Sequence, residues 1–220
     1  MKPRSAILLA AVLVVSVLAI GAGKETKGVS ADQALQKLMD GNKRYTKAKL
    51  KHPDQDSVRR AEVAKGQHPY AIIIGCADSR VPPEIIFDQG LGDLFIIRIA
   101  GNVIDNPGLG SIEYGVEHLN VKLVMVLGHE KCGAVDAAVK GSEAAGHIGS
   151  LIEAIKPAVE KAKTESGDML DNAVKENVKM VVAQLKASKP ILAEMVEKGK
   201  IKIVGARYDL DTGAVELIAP

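Results

Sequence analysis

The sequence predicts an α/β fold, a mainly parallel β-sheet flanked by helices, with an N-terminal helical arm and a short final strand. Three observations carry this. The runs over 70–74 and 121–127 are almost continuously apolar, the pattern of strands covered on both faces in a parallel sheet. Segments with helical spacing alternate with such runs along the chain. Glycine and proline mark breaks between segments at Gly66, Pro82-Pro83, Gly167 and Pro190.

Taken in order, residues 24–30 form a polar linker. Ser30 is placed to cap a helix beginning at Ala31, with Leu35, Leu38 and Met39 on one face. Gly41-Asn42 is expected to interrupt this helix, and Arg44-Tyr45 to continue it. Residues 47–57, with Pro53, read as an exposed connection, and 58–65 as a short helix ended by Gly66. This N-terminal part offers little apolar surface of its own, so it is expected to pack as an arm on something else, such as a second subunit. The first strand is 70–74. Pro82-Pro83 lead into a helix around Glu84, and the second strand is 94–99. A helix over 108–119, a strand over 121–127 and a helix from 133 to 139 follow. Residues 147–198 read as helical, broken near Gly167 and Pro190. A fourth strand at 201–206, a turn at Asp211-Thr212-Gly213 and a last strand at 215–218 complete the chain. No internal repeat or low-complexity segment is present.

Residues 1–23 read as a signal peptide. Lys2 and Arg4 precede an apolar stretch over 6–20, interrupted only by Ser16, and the small residues Gly21-Ala22-Gly23 follow. The stretch is short for a membrane span, which needs about 20 residues. The expectation is therefore an exported chain, periplasmic or secreted, with no membrane span in its mature form; a retained anchor is the other reading. No cysteine lies near the cleavage region, which speaks against a lipid anchor. Residues 24–220 are long enough for a single domain with a full core, and 47% of the 220 residues are hydrophobic. The net charge of +2, the aromatic content of 3% and the lack of any basic cluster interleaved with aromatics exclude a nucleic-acid footprint.

Both cysteines of the chain sit in polar segments that directly follow apolar runs. These are Cys76-Ala77-Asp78-Ser79-Arg80 after 70–74, and His129-Glu130-Lys131-Cys132 after 121–127. In open α/β sheets ligands bind outside the carboxyl ends of the strands, so both segments fall on the functional edge. In an exported protein a cysteine pair first suggests a disulfide. A disulfide, however, needs neither Asp78 and Arg80 beside one cysteine nor a histidine three residues before the other. Two thiolates and an imidazole, Cys76, His129 and Cys132, suit zinc, and the fourth position belongs to Asp78 in a closed site or to water in a catalytic one. Cys132 begins a helix, where the dipole favours a thiolate. Alone, Asp78 and Arg80 would read as a surface ion pair, and His129 as an ordinary strand-end histidine. Beside the cysteines, Asp78 either binds the metal or accepts a hydrogen bond from a metal-bound hydroxide. A bidentate pair with Arg80 would hold Asp78 ionised and off the metal; opening the pair would let it swing on. Zinc lowers the pKa of a bound water to about 7, so the constellation points to an enzyme that activates water.

The chain resembles the β-class carbonic anhydrases. The resemblance rests on Cys76-Ala-Asp78-Ser79-Arg80-Val81-Pro82 and on Gly128-His129-Glu-Lys-Cys132-Gly133-Ala134-Val135. It extends to Gly41-Asn42-Lys-Arg44-Tyr45, Gly66-Gln67-His-Pro69, Arg98-Ile-Ala-Gly101-Asn102, Ser111-Ile-Glu113-Tyr114 and Gly205-Ala-Arg-Tyr208, in family order over most of 30–218. It implies reversible hydration of carbon dioxide to bicarbonate and a proton. It implies one zinc per subunit on Cys76, His129 and Cys132, and an Asp78–Arg80 dyad governing access to the metal. It also implies a homodimer or a dimer of dimers with active sites at the subunit interface. Gln67 matches a glutamine that reaches substrate from the neighbouring subunit. Phe95, Ala100 and Tyr114 fall where the family lines its carbon dioxide pocket, although a larger residue often stands at the position of Ala100. His118 matches a position discussed as a proton relay; a buried helix histidine is the alternative. Some members are inhibited by bicarbonate in a side pocket that uses a tryptophan three residues before the first cysteine. Here that residue is Ile73, and the chain has no tryptophan. While Arg98 and Tyr208 resemble other parts of that pocket, the set is incomplete. An open resting state near neutral pH, with Asp78 off the metal, is therefore expected. The competing readings are a hydrolase of carbon disulfide or carbonyl sulfide, a non-catalytic zinc or bicarbonate-binding protein, and a disulfide-stapled binding module.

Overall fold

The computed structural model describes residues 28–141 and 144–220; the leader expected at 1–23 lies outside them. Helix α1 (Ala31–Thr46) and α2 (Ser57–Val63) precede strand β1 (Ala71–Gly75). Helix α3 (Pro83–Ile86), β2 (Leu94–Arg98), a 3-10 turn (Ala100–Asn102), α4 (Asn106–Glu117) and β3 (Leu123–His129) follow. Then come α5 (Gly133–Val139), α6 (Ile148–Ala162), α7 (Met169–Ala187), α8 (Ile191–Glu197), β4 (Lys202–Tyr208) and β5 (Val215–Ala219).

The strands form one sheet in the order β2-β1-β3-β4-β5. The first four run parallel and β5 runs antiparallel to β4. Every residue of β1 and β3 is buried, as near-continuous apolar runs require. Side chains alternate between two cores. Ala71, Ile73, Leu123, Met125, Leu127, Val204 and Ala206 join residues of α1, α3, α5 and α6. Ile72, Ile74, Val124, Val126 and Ile203 join α4, α7 and α8. Each fully buried isoleucine contributes about 1.5–3 kcal/mol relative to exposure. The edge strand β2 is only half-buried along its length.

The chain leaves β1 for β2 on one side and returns to β3 on the other. The carboxyl ends of β1 and β3 are thus a topological switch point, where open α/β sheets bind ligands.

One expectation for the N-terminal arm needs correction. Helix α1 is not interrupted at Gly41-Asn42; it runs unbroken through both. Glycine stands at 41 because the helix crosses the backbone of Phe87, where a Cβ would come within 1.7 Å of the Phe87 carbonyl oxygen. Asn42 is buried; it donates to Gly213 O at 2.8 Å and accepts from Val215 N at 2.9 Å, tying the helix to the turn before β5. While α2 has no buried residue, Ala34 and Leu38 of α1 are wholly buried against this chain's own core. The start of α1 is as expected: Ser30 and Gln33 form a reciprocal capping box.

Candidate metal centre

Cys76 follows the last residue of β1, His129 ends β3, and Cys132 caps α5. Adjacent parallel strands bring the first two together, and the turn His129–Cys132 brings the third. The Cys76 and Cys132 sulfurs and a His129 ring nitrogen all lie within 4.8 Å of one another, and all three residues are buried. Both cysteines are free thiols, with 4.0 Å between their sulfurs, so the disulfide reading fails.

Hydrogen bonds aim two of the three ligand atoms. The His129 Nδ1 lies 2.8 Å from Glu130 O. A carbonyl only accepts, so Nδ1 carries the proton and Nε2 keeps its lone pair. That Nε2 is buried and has no hydrogen-bond partner among the described residues. A buried acceptor left this way is costly unless something else fills it, and a divalent cation between the two sulfurs would. The Cys76 sulfur accepts from the amides of Asp78 at 3.4 Å and Gly101 at 3.3 Å. A hydrogen bond shared with Cys132, helped by the His129 ring and by these amides, pulls the Cys76 thiol well below the usual thiol range against the effect of burial, and the same sharing plus burial pushes Cys132 up. A bound cation would hold both as thiolates. The donor set of two sulfurs and one imidazole therefore fits zinc.

Asp78 stands beside the cluster rather than in it. Arg80 grips it with Nε on Oδ1 at 2.9 Å and Nη2 on Oδ2 at 2.7 Å, and the Arg80 amide adds a bond to Oδ1 at 2.9 Å. Hydrogen bonding from Arg80 pulls the Asp78 carboxyl down to about 2, against a smaller opposing effect of burial. Asp78 is thus ionised across the physiological range. Its Oδ2 lies 3.8 Å from His129 Nε2. Arg98, at the end of β2, pins the loop by donating to Cys76 O at 2.8 Å and to Asp78 O. Neither Arg98 as this clamp nor the Gly101 amide as a sulfur donor was anticipated. An arginine closing an otherwise apolar strand was the one signal that could have pointed to the first.

The remaining site residues divide. Ala100, in the 3-10 turn next to Gly101, is at the carboxyl end with the metal cluster. Gln67, Phe95, Tyr114 and His118 are not. Gln67 precedes β1 at its amino end, and the five residues of β1 separate it from Cys76 by roughly 16 Å at about 3.3 Å per residue. Phe95 lies on β2 with its ring 6.3 Å from that of Tyr114, which in turn stands 5.2 Å from the His118 ring. Gln67, Tyr114 and His118 line a surface cavity of about 1040 Å³ together with Pro69 and Tyr70. His118, which caps the carboxyl end of α4, is exposed in the single chain.

A family model described as carbonic anhydrase matches residues 71–215. The chain is 44% identical over 188 residues to "Carbonic anhydrase 2" of Mycobacterium tuberculosis, covering 84% of this chain and 91% of that protein. It is 42% identical to the carbonic anhydrase of Mycolicibacterium smegmatis over the same shares. Among solved structures, the Coccomyxa β-carbonic anhydrase in complex with acetazolamide superposes with a TM-score of 0.65 at 32% identity, over 74% of this chain and 78% of that one. One of the two tetrameric β-carbonic anhydrases of Sordaria macrospora superposes with a TM-score of 0.67 at 25% identity, over 72% and 85%.

Proposed function

The chain belongs to the β-class carbonic anhydrases, zinc enzymes that hydrate carbon dioxide, and on that premise we propose how its own residues divide the work. Cys76, His129 and Cys132 would hold the zinc and leave room for water beside it. The convergence of two free thiols and an unpartnered imidazole nitrogen supports this reading most directly. When bound, zinc supplies Lewis acidity and lowers the pKa of a water to about 7.

The Asp78–Arg80 dyad governs access. Held by Arg80, the Asp78 carboxylate stays out of the ligand set with Oδ2 3.8 Å from His129 Nε2, where it could accept a hydrogen bond from a water at the site. Release from Arg80 would free the carboxylate to close that position. The paired geometry supports the open form as the neutral-pH resting state. Arg80 is half-exposed, so the grip is within reach of solvent and of other ligands.

Ala100 lines the substrate pocket from the same chain. Gln67, Phe95 and Tyr114 complete it from a second copy, and His118 relays the proton outward from that side. Their separation from the metal cluster within one chain supports this division, and so does the tetrameric description of the Sordaria enzymes. The working enzyme is thus a homodimer or a dimer of dimers. No helix among the described residues is long and apolar enough to cross a membrane, and the leader at 1–23 supports export.

The test is zinc content and stopped-flow hydration of carbon dioxide in the purified protein. One zinc per chain with a hydration rate that follows zinc loading is expected. Tight zinc with no hydration would favour the non-catalytic reading. Turnover of carbon disulfide or carbonyl sulfide in its place would change the substrate and leave the site intact.

A further inference from the structure

We propose that Asn177, far from the metal in sequence and not in contact with it, is a positioning residue that sets the electron density on the Cys76 thiolate. The proposal rests on Cys76 being a zinc ligand. Asn177 lies in α7 and is completely buried. Its Nδ2 donates to the carbonyl of Gly101 at 2.7 Å. The amide of the same Gly101 donates to the Cys76 sulfur at 3.3 Å. One residue thus receives a hydrogen bond from α7 on one side and gives one to a ligand sulfur on the other.

The turn that carries this relay has little freedom of its own. Asn102 N donates to Ile99 O at 2.8 Å, closing the tight turn after β2. Gly101 has φ +71°, and a Cβ there would meet Ile155 Cδ1 at 2.6 Å and Ala134 Cβ at 3.3 Å. Asn102 also has a left-handed φ, +45°, a conformation that asparagine tolerates better than most residues. Such a backbone persists only when its surroundings over-determine it, and the Asn177 bond fixes the orientation of the Gly101 carbonyl.

Packing alone does not account for an amide at 177. Its Oδ1 is buried with no hydrogen-bond partner among the described residues, and a leucine of similar size would avoid that cost. What leucine would lose is the donor to Gly101. The functional reason follows from the chemistry of sulfur ligands. An N–H···S bond withdraws electron density from a thiolate, so a zinc it binds is a stronger Lewis acid; outer partners of this kind typically change affinity or activity by about 10- to 100-fold.

The test uses cobalt in place of zinc, in the full chain and in Asn177→Leu. The wild type should show a thiolate-to-cobalt charge-transfer band. In the variant that band should move to lower energy, and metal affinity in competition with a chelator should fall by about 10-fold. A folded variant with a lower melting temperature but the same band and affinity would overturn the positioning role and leave the metal site standing. A wild type with no such band would overturn both. Should Asn177→Leu fail to fold, the cadmium-loaded wild type decides the matter. There the Gly101 amide proton should couple to the metal nucleus through the Cys76 sulfur, and absence of that coupling overturns the proposal.

Discussion

At the carboxyl end of the parallel sheet, Cys76, His129 and Cys132 are 3%, 1% and 1% exposed. The bonds that aim them come from Glu130, Asp78 and Gly101 of the same chain, and Arg98 pins the backbone beneath them. At the amino end and along the β2 edge, Tyr114 is 46% exposed, Gln67 and His118 lie open, and β2 is only half-covered. The difference teaches what each end still needs. The first gathers donors that suit a cation, because a buried, unpartnered imidazole nitrogen lies within 4.8 Å of two sulfurs there. The second presents apolar and polar side chains to a wide cavity, a lining that suits the second copy proposed above.

The largest effect expected is at the carboxyl end. Cys132→Ser should lose zinc and bring hydration to background, read by metal analysis and stopped flow. Retained zinc with near-normal activity would break the comparison at its stronger side.

The dyad comes next. Asp78→Ala and Arg80→Ala should each keep zinc yet lose activity by roughly 10- to 100-fold, the usual cost of removing an outer partner of a metal site. Loss of zinc from both would make the dyad structural support rather than a gate.

The amino end supplies a third test. Tyr114→Asp should leave zinc content unchanged, shift the sedimentation profile toward monomer, and lower hydration in proportion to the monomer fraction. A fully active monomer would show that the β2 edge contributes nothing to the site.

The smallest effect concerns a region belonging to neither end, and calibrates the rest. Asp88 is buried and accepts from Arg44 and from the amides of Lys51 and His52. Burial works to raise its pKa, but those hydrogen bonds outweigh it and the net shift is downward. A carboxylate whose folded pKa lies below its unfolded value, about 3.9, stabilises the fold above that value. The contribution fades as pH falls through the folded one. Asp88→Asn should therefore cost about 1–3 kcal/mol near neutral pH, and less below pH about 4. Denaturant melts at the two pH values measure it, with zinc content as the check that the metal centre is untouched.

The same contrast explains what was readable in the chain. The ligands were legible because each follows a near-continuous apolar run, and parallel-sheet topology sends strand ends to one edge. Asp78 and Arg80 were legible because an Asp-x-Arg beside a cysteine has no role in a disulfide. Gly41-Asn42 misled because the reason for that glycine, the Phe87 backbone, lies 46 positions further along the chain. The burial of Ala34 and Leu38 was hidden for a related reason, since they pack against a sheet whose first strand begins only at Ala71. Asn177 gave no local sign at all. Its meaning comes from a contact spanning 76 positions, and an asparagine in a helix reads first as a surface residue.

The most direct test is X-ray absorption at the zinc edge on the purified protein near neutral pH. The account predicts one zinc per chain with two sulfurs at about 2.3 Å, one imidazole nitrogen at about 2.0 Å and a single further light atom. A zinc with fewer than two sulfurs, or none bound, would contradict it.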